Sequence, residues 1–63
     1  MNHQERVISE SEQLDAKIVK LEEFLNGPIM LTLPGPEQER LRYQNMAMRL
    51  YSRILSDRIA AFG

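Results

Sequence analysis

Three arginines in the second half of the chain are spaced so that an α-helix would bring them to one side. At about 100° per residue, Arg42, Arg49 and Arg53 fall within about 40° of one another. A row of guanidinium groups can hold phosphates through paired hydrogen bonds. The same row can instead be a solvated face that forms ion pairs with another helix or a neighbouring molecule. Both interpretations stay open at the level of sequence.

Two tyrosines, Tyr43 and Tyr51, lie in the same predicted helix as these arginines. An aromatic ring beside a guanidinium group can stack on a nucleobase while the arginine binds its phosphate. Tyrosines with their hydroxyls at the rim of a helical core are the simpler alternative. Arg40 and Arg58 project at the same angle as apolar residues of the helix, which suggests a role between subunits, by ion pair or by ligand. The candidate ligand-binding residues are therefore Arg40, Arg42, Tyr43, Arg49, Tyr51 and Arg53.

Catalytic chemistry has little support in the sequence. The one histidine, His3, lies near the chain terminus, and no other histidine is present to activate a serine. The neighbouring carboxylates Glu22 and Glu23 would point to different sides of a helix. With no cysteine and no glycine-rich phosphate loop, we expect no catalytic residues, no metal site and no cofactor, and hence a protein that is not an enzyme.

The helix that carries the arginines has apolar residues on two adjacent sides. The first stripe comprises Leu41, Met48, Tyr51, Leu55, Ile59 and Phe62, and the second stripe comprises Tyr43, Ala47, Leu50 and Ile54. Together they cover roughly half of the helix circumference, which calls for more than one partner helix. One partner can come from the first half of the chain and another from a second copy. The candidate interface residues for a homo-oligomer are Leu50, Ile54, Leu55, Arg58, Ile59 and Phe62.

The rest of the chain predicts one partner helix and a connection. Apolar residues at 7, 14, 18, 21 and 25 predict a helix over residues 3–26, with a possible break near Ser11, the polar residue in this series. Gly27, followed by Pro28, is expected to end this helix in a left-handed conformation. An apolar loop over residues 27–35 then leads to a helix from Pro36 to Ala61. The predicted fold is all-α: an antiparallel two-helix hairpin that self-associates into a helical bundle.

Size and charge limit the functions that this hairpin can have. A chain of 63 residues forms one domain with a small core, and self-association is one way to add buried surface. The net charge of −1 favours neither DNA binding nor attraction to a membrane. Residues 1–26 have a net charge of −3 and residues 37–63 a net charge of +2, so the two helices attract each other. No signal peptide or membrane-spanning run is visible, and we expect a cytoplasmic protein.

Nearly the whole chain resembles a group of very small tailed-phage and prophage proteins. The resemblance is carried by an opening His3-Gln4-Glu5-Arg6-Val7-Ile8, by Leu14, Asp15, Lys17 and Ile18, and by Leu33-Pro34, Glu37-Gln38-Glu39-Arg40-Leu41, Gln44, Met48, Tyr51-Ser52, Ile54-Leu55 and Arg58-Ile59-Ala60-Ala61-Phe62. This group is in turn similar to the helical-hairpin sponges with which phages oppose the CBASS and Thoeris defences. The hairpin pattern, the pair Arg42-Tyr43 and the closing Phe62 carry that second likeness.

The resemblance implies a function that composition and spacing do not. In the sponge families, small helical hairpins oligomerise and bind cyclic oligonucleotides or cyclic ADP-ribose signals between subunits, without degrading them. It therefore implies a phage counter-defence protein that sequesters a cyclic nucleotide immune signal in the host cytoplasm. The alternative is a structural or adaptor hairpin that acts through self-association or by binding a protein.

Overall fold

The computed structural model describes residues 2–63 and confirms the all-α hairpin. Helix α1 spans His3–Leu25, a short 3₁₀ helix spans Pro28–Thr32, and helix α2 spans Gly35–Ala60. Contacts between Asp15 and Ser52, and between Glu22 and Arg49, show that the helices run antiparallel. Neither helix of residues 2–63 is both long and apolar enough to cross a membrane.

Local side-chain chemistry explains where the helices begin. The Oδ1 atom of Asn2 accepts a hydrogen bond of 2.8 Å from the backbone N–H of Glu5, which caps α1. At α2 the carbonyl of Pro34 accepts from the backbone N–H groups of Glu37 and Gln38. The Gln38 side chain also donates to the Leu33 carbonyl at 2.9 Å, so the connection is tied to the first turn of α2.

The prediction that Gly27 adopts a left-handed conformation is wrong. This residue has φ −92° and ψ 171°, and α1 ends at Asn26 in a right-handed helical conformation. The backbone N–H and the side-chain amide of Asn26 both donate to the Glu22 carbonyl, which satisfies the end of the helix without a left-handed residue. The following Pro28 also favours an extended conformation for the residue before it.

The core lies between the two helices, and α1 contributes more buried residues to it than α2 does. Val7, Ser11, Leu14 and Ile18 of α1 are buried, whereas Leu55 is the one buried residue that α2 contributes within residues 2–63. Helix α1 runs without a break through Ser11, which is itself buried, as are Val7 and Leu14 on either side of it along this face. In the connection, Met30 is buried while its neighbours remain exposed.

The two stripes of α2 have different surroundings. Leu55 is fully buried, and Met48, Ile59 and Phe62 of the first stripe pack around it against α1. In the second stripe, Leu50 is 60% exposed and the other three residues are also exposed. The molecule is a rod 47 Å long and about 15 Å across, only two helices thick. Helix α1 therefore covers most of the first stripe, in which Tyr51 stays 42% exposed, and leaves the second stripe in solvent.

Because Leu55 is the centre of this small core, we expect Leu55→Ala to lower the free energy of unfolding by about 2–5 kcal/mol. Leu31→Ala is the matched control, since Leu31 is 79% exposed and its truncation is expected to cost less than about 0.5 kcal/mol. Urea denaturation followed by circular dichroism measures both values. Equal stability of the two variants would contradict the described core.

Candidate functional site

The arginine row meets α1 at one position. Arg49 Nε and Nη2 both lie 2.5 Å from Glu22 Oε2, and they form an ion pair between the helices. The same oxygen accepts a hydrogen bond of 3.2 Å from the Asn45 amide. This oxygen therefore accepts hydrogen bonds from two side chains of α2, and the ion-pair interpretation of the row applies to Arg49.

These donors change the acidity of Glu22. The pKa of Glu22 lies below its ordinary value of 4.5, chiefly because the Arg49 side chain donates to the carboxylate and also because the Asn45 side chain does. Both interactions favour the ionised form. Partial burial of the carboxylate acts in the opposite direction and is the weaker effect.

A shallow cleft of about 270 Å³ lies beside this ion pair, between the helices. It is lined by Asp15, Ile18, Val19, Glu22, Arg49 and Ser52. The Ser52 hydroxyl donates to Asp15 Oδ1 at 2.6 Å, so a second polar contact joins the helices here. Two carboxylates and one arginine that is already paired do not favour an anion. The cleft by itself is therefore not the phosphate site that the sequence suggests.

The other two arginines of the row are available to a ligand. Arg42 Nη2 makes one long contact of 3.5 Å with Gln38 Oε1. Within residues 2–63, neither Arg42 nor Arg53 has a carboxylate within salt-bridge distance. On a straight helix, Arg42 and Arg53 are about 16 Å apart along the axis, with Arg49 between them. Their guanidinium groups can reach separate phosphates of one ligand.

The six ligand-binding candidates do not converge within one chain. The arginine row lies on one flank of α2, whereas Arg40 and Tyr51 lie on the opposite flank, and Tyr43 lies between the two flanks. The Tyr43 hydroxyl donates to Glu39 Oε1 at 3.2 Å, and Arg40 Nε forms an ion pair of 2.8 Å with Glu37. Tyr43 and Tyr51 remain 58% and 42% exposed.

The interface candidates also divide into two groups. Leu55 is fully buried within a single chain, and Ile59 and Phe62 are half-buried beside it. Leu50 and Ile54 are exposed, at 60% and 46%. Arg58 is exposed as well, with no carboxylate within salt-bridge distance among residues 2–63.

Sequence reasoning did not select Asp15, Asn45 or Ser52 as site residues, and it did not select Glu22 as a partner of Arg49. The net charges of the two halves predicted their attraction but not which residues meet. Individual pairs depend on the axial register of the helices, and the connection sets that register. A pattern within either helix alone does not contain it.

The Glu22–Arg49 ion pair predicts a loss of stability in acid. Because the folded-state pKa of Glu22 is lowered, its contribution is complete above pH 4.5 and is lost as the pH falls below that value. Glu22→Gln is expected to flatten this part of the stability profile, and Glu23→Gln, which removes the adjacent exposed carboxylate, should leave it as in the wild type. Thermal unfolding between about pH 7 and about pH 3 measures the profiles. Identical profiles for Glu22→Gln and the wild type would show that the pair does not stabilise the fold.

Comparison with known proteins places the hairpin in a family. The Sequestin family model matches residues 1–61. A protein of Enterobacteria phage T4, described as an uncharacterized 7.5 kDa protein in the denB-rIIB intergenic region, is 42% identical over 60 residues, which cover 95% of this chain and 94% of the relative. No solved structure matches. The similarity to small phage proteins is thereby supported over nearly the whole chain, and the chain belongs to the Sequestin family.

Proposed function

We propose that the protein is a phage counter-defence protein that sequesters a cyclic nucleotide immune signal, of the cyclic oligonucleotide or cyclic ADP-ribose type, without degrading it. Membership of a family named for sequestration supports this proposal, and so does a close relative from a phage. The resemblance to the hairpin sponges supplies the class of ligand. The host cytoplasm, where such signals act, is the proposed location.

The observation that carries the proposal is the arginine row on the flank of α2. Arg42 and Arg53 offer guanidinium groups with no carboxylate partner within residues 2–63, on a helix that holds them at a fixed spacing. Guanidinium groups bind phosphate oxygens in pairs of strong hydrogen bonds. Arg49 lies between them and is 62% exposed despite its bond to Glu22, so its free N–H groups can add to a phosphate contact.

Stacking on a base needs an aromatic ring on the same side as the arginines. The two tyrosines lie on other parts of α2, so one chain does not surround a cyclic nucleotide. A ligand site that combines phosphate binding with stacking therefore requires residues from two copies. Sequestration needs only tight binding, and a site between subunits can exclude water from both faces of a ligand.

Calorimetry with a panel of cyclic dinucleotides, cyclic trinucleotides and cyclic ADP-ribose isomers tests this proposal. We expect at least one compound to bind, and Arg42→Ala/Arg53→Ala to weaken its affinity about 10- to 100-fold through the loss of charge-assisted hydrogen bonds. Arg6→Ala is the control, because it removes a similar charge from α1. No binding across the panel, or equal affinities for the double variant and the wild type, would refute the proposal.

The absence of degradation has its own test. After incubation with the protein and release by heat, a bound nucleotide should be recovered intact, as measured by chromatography. Recovery of a linear or hydrolysed product in the presence of the wild-type protein, and not of the double arginine variant, would instead identify an enzyme.

A structural or adaptor hairpin is the second candidate, and the exposed second stripe of α2 favours it. Leu50 is 60% exposed, more than Tyr43 or Ile54 of the same stripe, and exposed apolar surfaces often bind proteins. This function predicts that the arginine variants behave like the wild type while Leu50→Asp abolishes activity in infected cells. The calorimetric panel then separates the two candidates, since an adaptor gives no signal.

A further inference from the structure

The second stripe of α2 is an apolar surface that the rest of the chain leaves uncovered. Tyr43, Leu50 and Ile54 are 58%, 60% and 46% exposed, although the fold has few buried apolar side chains. The stripe is turned about 110° around the helix from Leu55, which faces α1. Helix α1 therefore cannot cover both surfaces at once.

The spacing of this surface is that of a helix-pairing seam. From Tyr43 the steps to Ala47, Leu50 and Ile54 are four, three and four residues, which is the alternation that lets two helices interlock. Continued by the same steps, the seam reaches Arg40 at one end and Asp57 at the other. A seam that is apolar in the middle, with opposite charges at its two ends, can pair with itself.

We propose that α2 pairs with α2 of a second copy in antiparallel orientation, so that Arg40 of each copy meets Asp57 of the partner subunit. The alternating steps give two kinds of seam position, one followed by a step of three residues and the other by a step of four. In an antiparallel helix pair, a position of one kind faces a position of the other kind. Centring the pair between Met48 and Arg49 places Ala47 opposite Leu50 of the partner subunit. The same register places Tyr43 opposite Ile54 of the partner subunit.

Charge selects this orientation over the alternative. In a parallel pair, Arg40 would face Arg40 of the partner subunit and Asp57 would face Asp57 of the partner subunit. Both ends of the seam would then hold like charges. The antiparallel pair replaces both repulsions by attractions, and opposite charges across an interface fix its register. Arg40 is already bound to Glu37 at 2.8 Å, which holds its guanidinium group at the edge of the seam.

The available surface suits such a pair. The exposed parts of Tyr43, Met46, Leu50 and Ile54 amount to on the order of 400 Å² per copy, the size of a functional apolar patch. Burial of this patch, with the aliphatic stems of the flanking charged residues, approaches the roughly 800 Å² per partner of a standard interface. A hairpin of 63 residues gains from a second copy the apolar burial that one chain does not provide.

This pairing assigns different tasks to the arginines. Arg40, and Arg58 next to Asp57, belong to the interface, whereas the arginine row lies on the opposite side of the seam and remains free for a ligand. The inference does not rest on the proposed ligand. A monomer that binds a cyclic nucleotide would overturn the dimer and leave sequestration itself intact, with phosphate contacts from the arginine row of one chain and without the stacking that needs two copies.

A charge-reversal experiment tests both the contact and the orientation. We expect the wild-type protein to sediment as a dimer, and Arg40→Glu and Asp57→Arg each to weaken dimerisation by about tenfold or more, because each creates like charges at both ends of the seam. The variant that carries both changes should return to within about threefold of the wild type. The two positions are 17 residues apart on one helix, about 25 Å, so the rescue can arise only between copies.

Two further variants separate dimerisation from folding. Leu50→Asp should give a monomer that keeps its helical circular dichroism spectrum, and Leu31→Asp, at an exposed leucine of the connection, should remain a dimer. A monomeric wild type over the whole concentration range would overturn the proposal. A double charge variant no better than the single variants, or a Leu50→Asp protein that is still dimeric, would overturn it as well.

Discussion

A structure only two helices thick gives each helix one internal contact surface. Helix α1 buries its apolar face in that contact, with four buried residues. Helix α2 contributes the buried Leu55 and keeps a second apolar side in water. Hydrophobic stabilisation follows the apolar area removed from water. Burial of the first stripe therefore stabilises the hairpin, whereas the exposed second stripe does not. This imbalance gives α2 both the role of the inner partner and that of the outer surface.

Polar contacts between the helices act on register more than on total stability. Glu22 gathers donors from Arg49 and Asn45, and Asp15 accepts from Ser52, so two carboxylates of α1 lie against fixed positions of α2. Exposed ion pairs add little free energy. Their effect on chemistry is larger, because the bond to Glu22 occupies part of Arg49 and makes the cleft unattractive to anions. The proposed phosphate contacts therefore lie at Arg42 and Arg53, at the two ends of the row.

Much of the fold could be predicted from local patterns. The spacing of Val7, Leu14 and Ile18 and the prolines of the connection fix two helices and their antiparallel order, since a short connection allows no other arrangement. The cap at Gly27 was predicted wrongly, because the Asn26 side chain satisfies the helix end in a way that glycine statistics do not describe. The candidate site was less predictable. Whether Arg49 is free or paired depends on which α1 residue lies opposite it, and that is a property of the packed hairpin.

The division of the arginines follows from where each lies relative to the two apolar sides of α2. An arginine beside the exposed second stripe loses water when a partner covers that stripe, and a desolvated charge needs an opposite charge within reach. Arg40 can meet this requirement through Glu37 and a carboxylate from a second copy. Arg42 and Arg53 keep their hydration on the far flank and lose it only to a ligand that brings its own negative charge. In the proposed dimer and ligand site, the same residue type would therefore serve assembly on one flank and recognition on the other, and the uncovered apolar stripe lies between them.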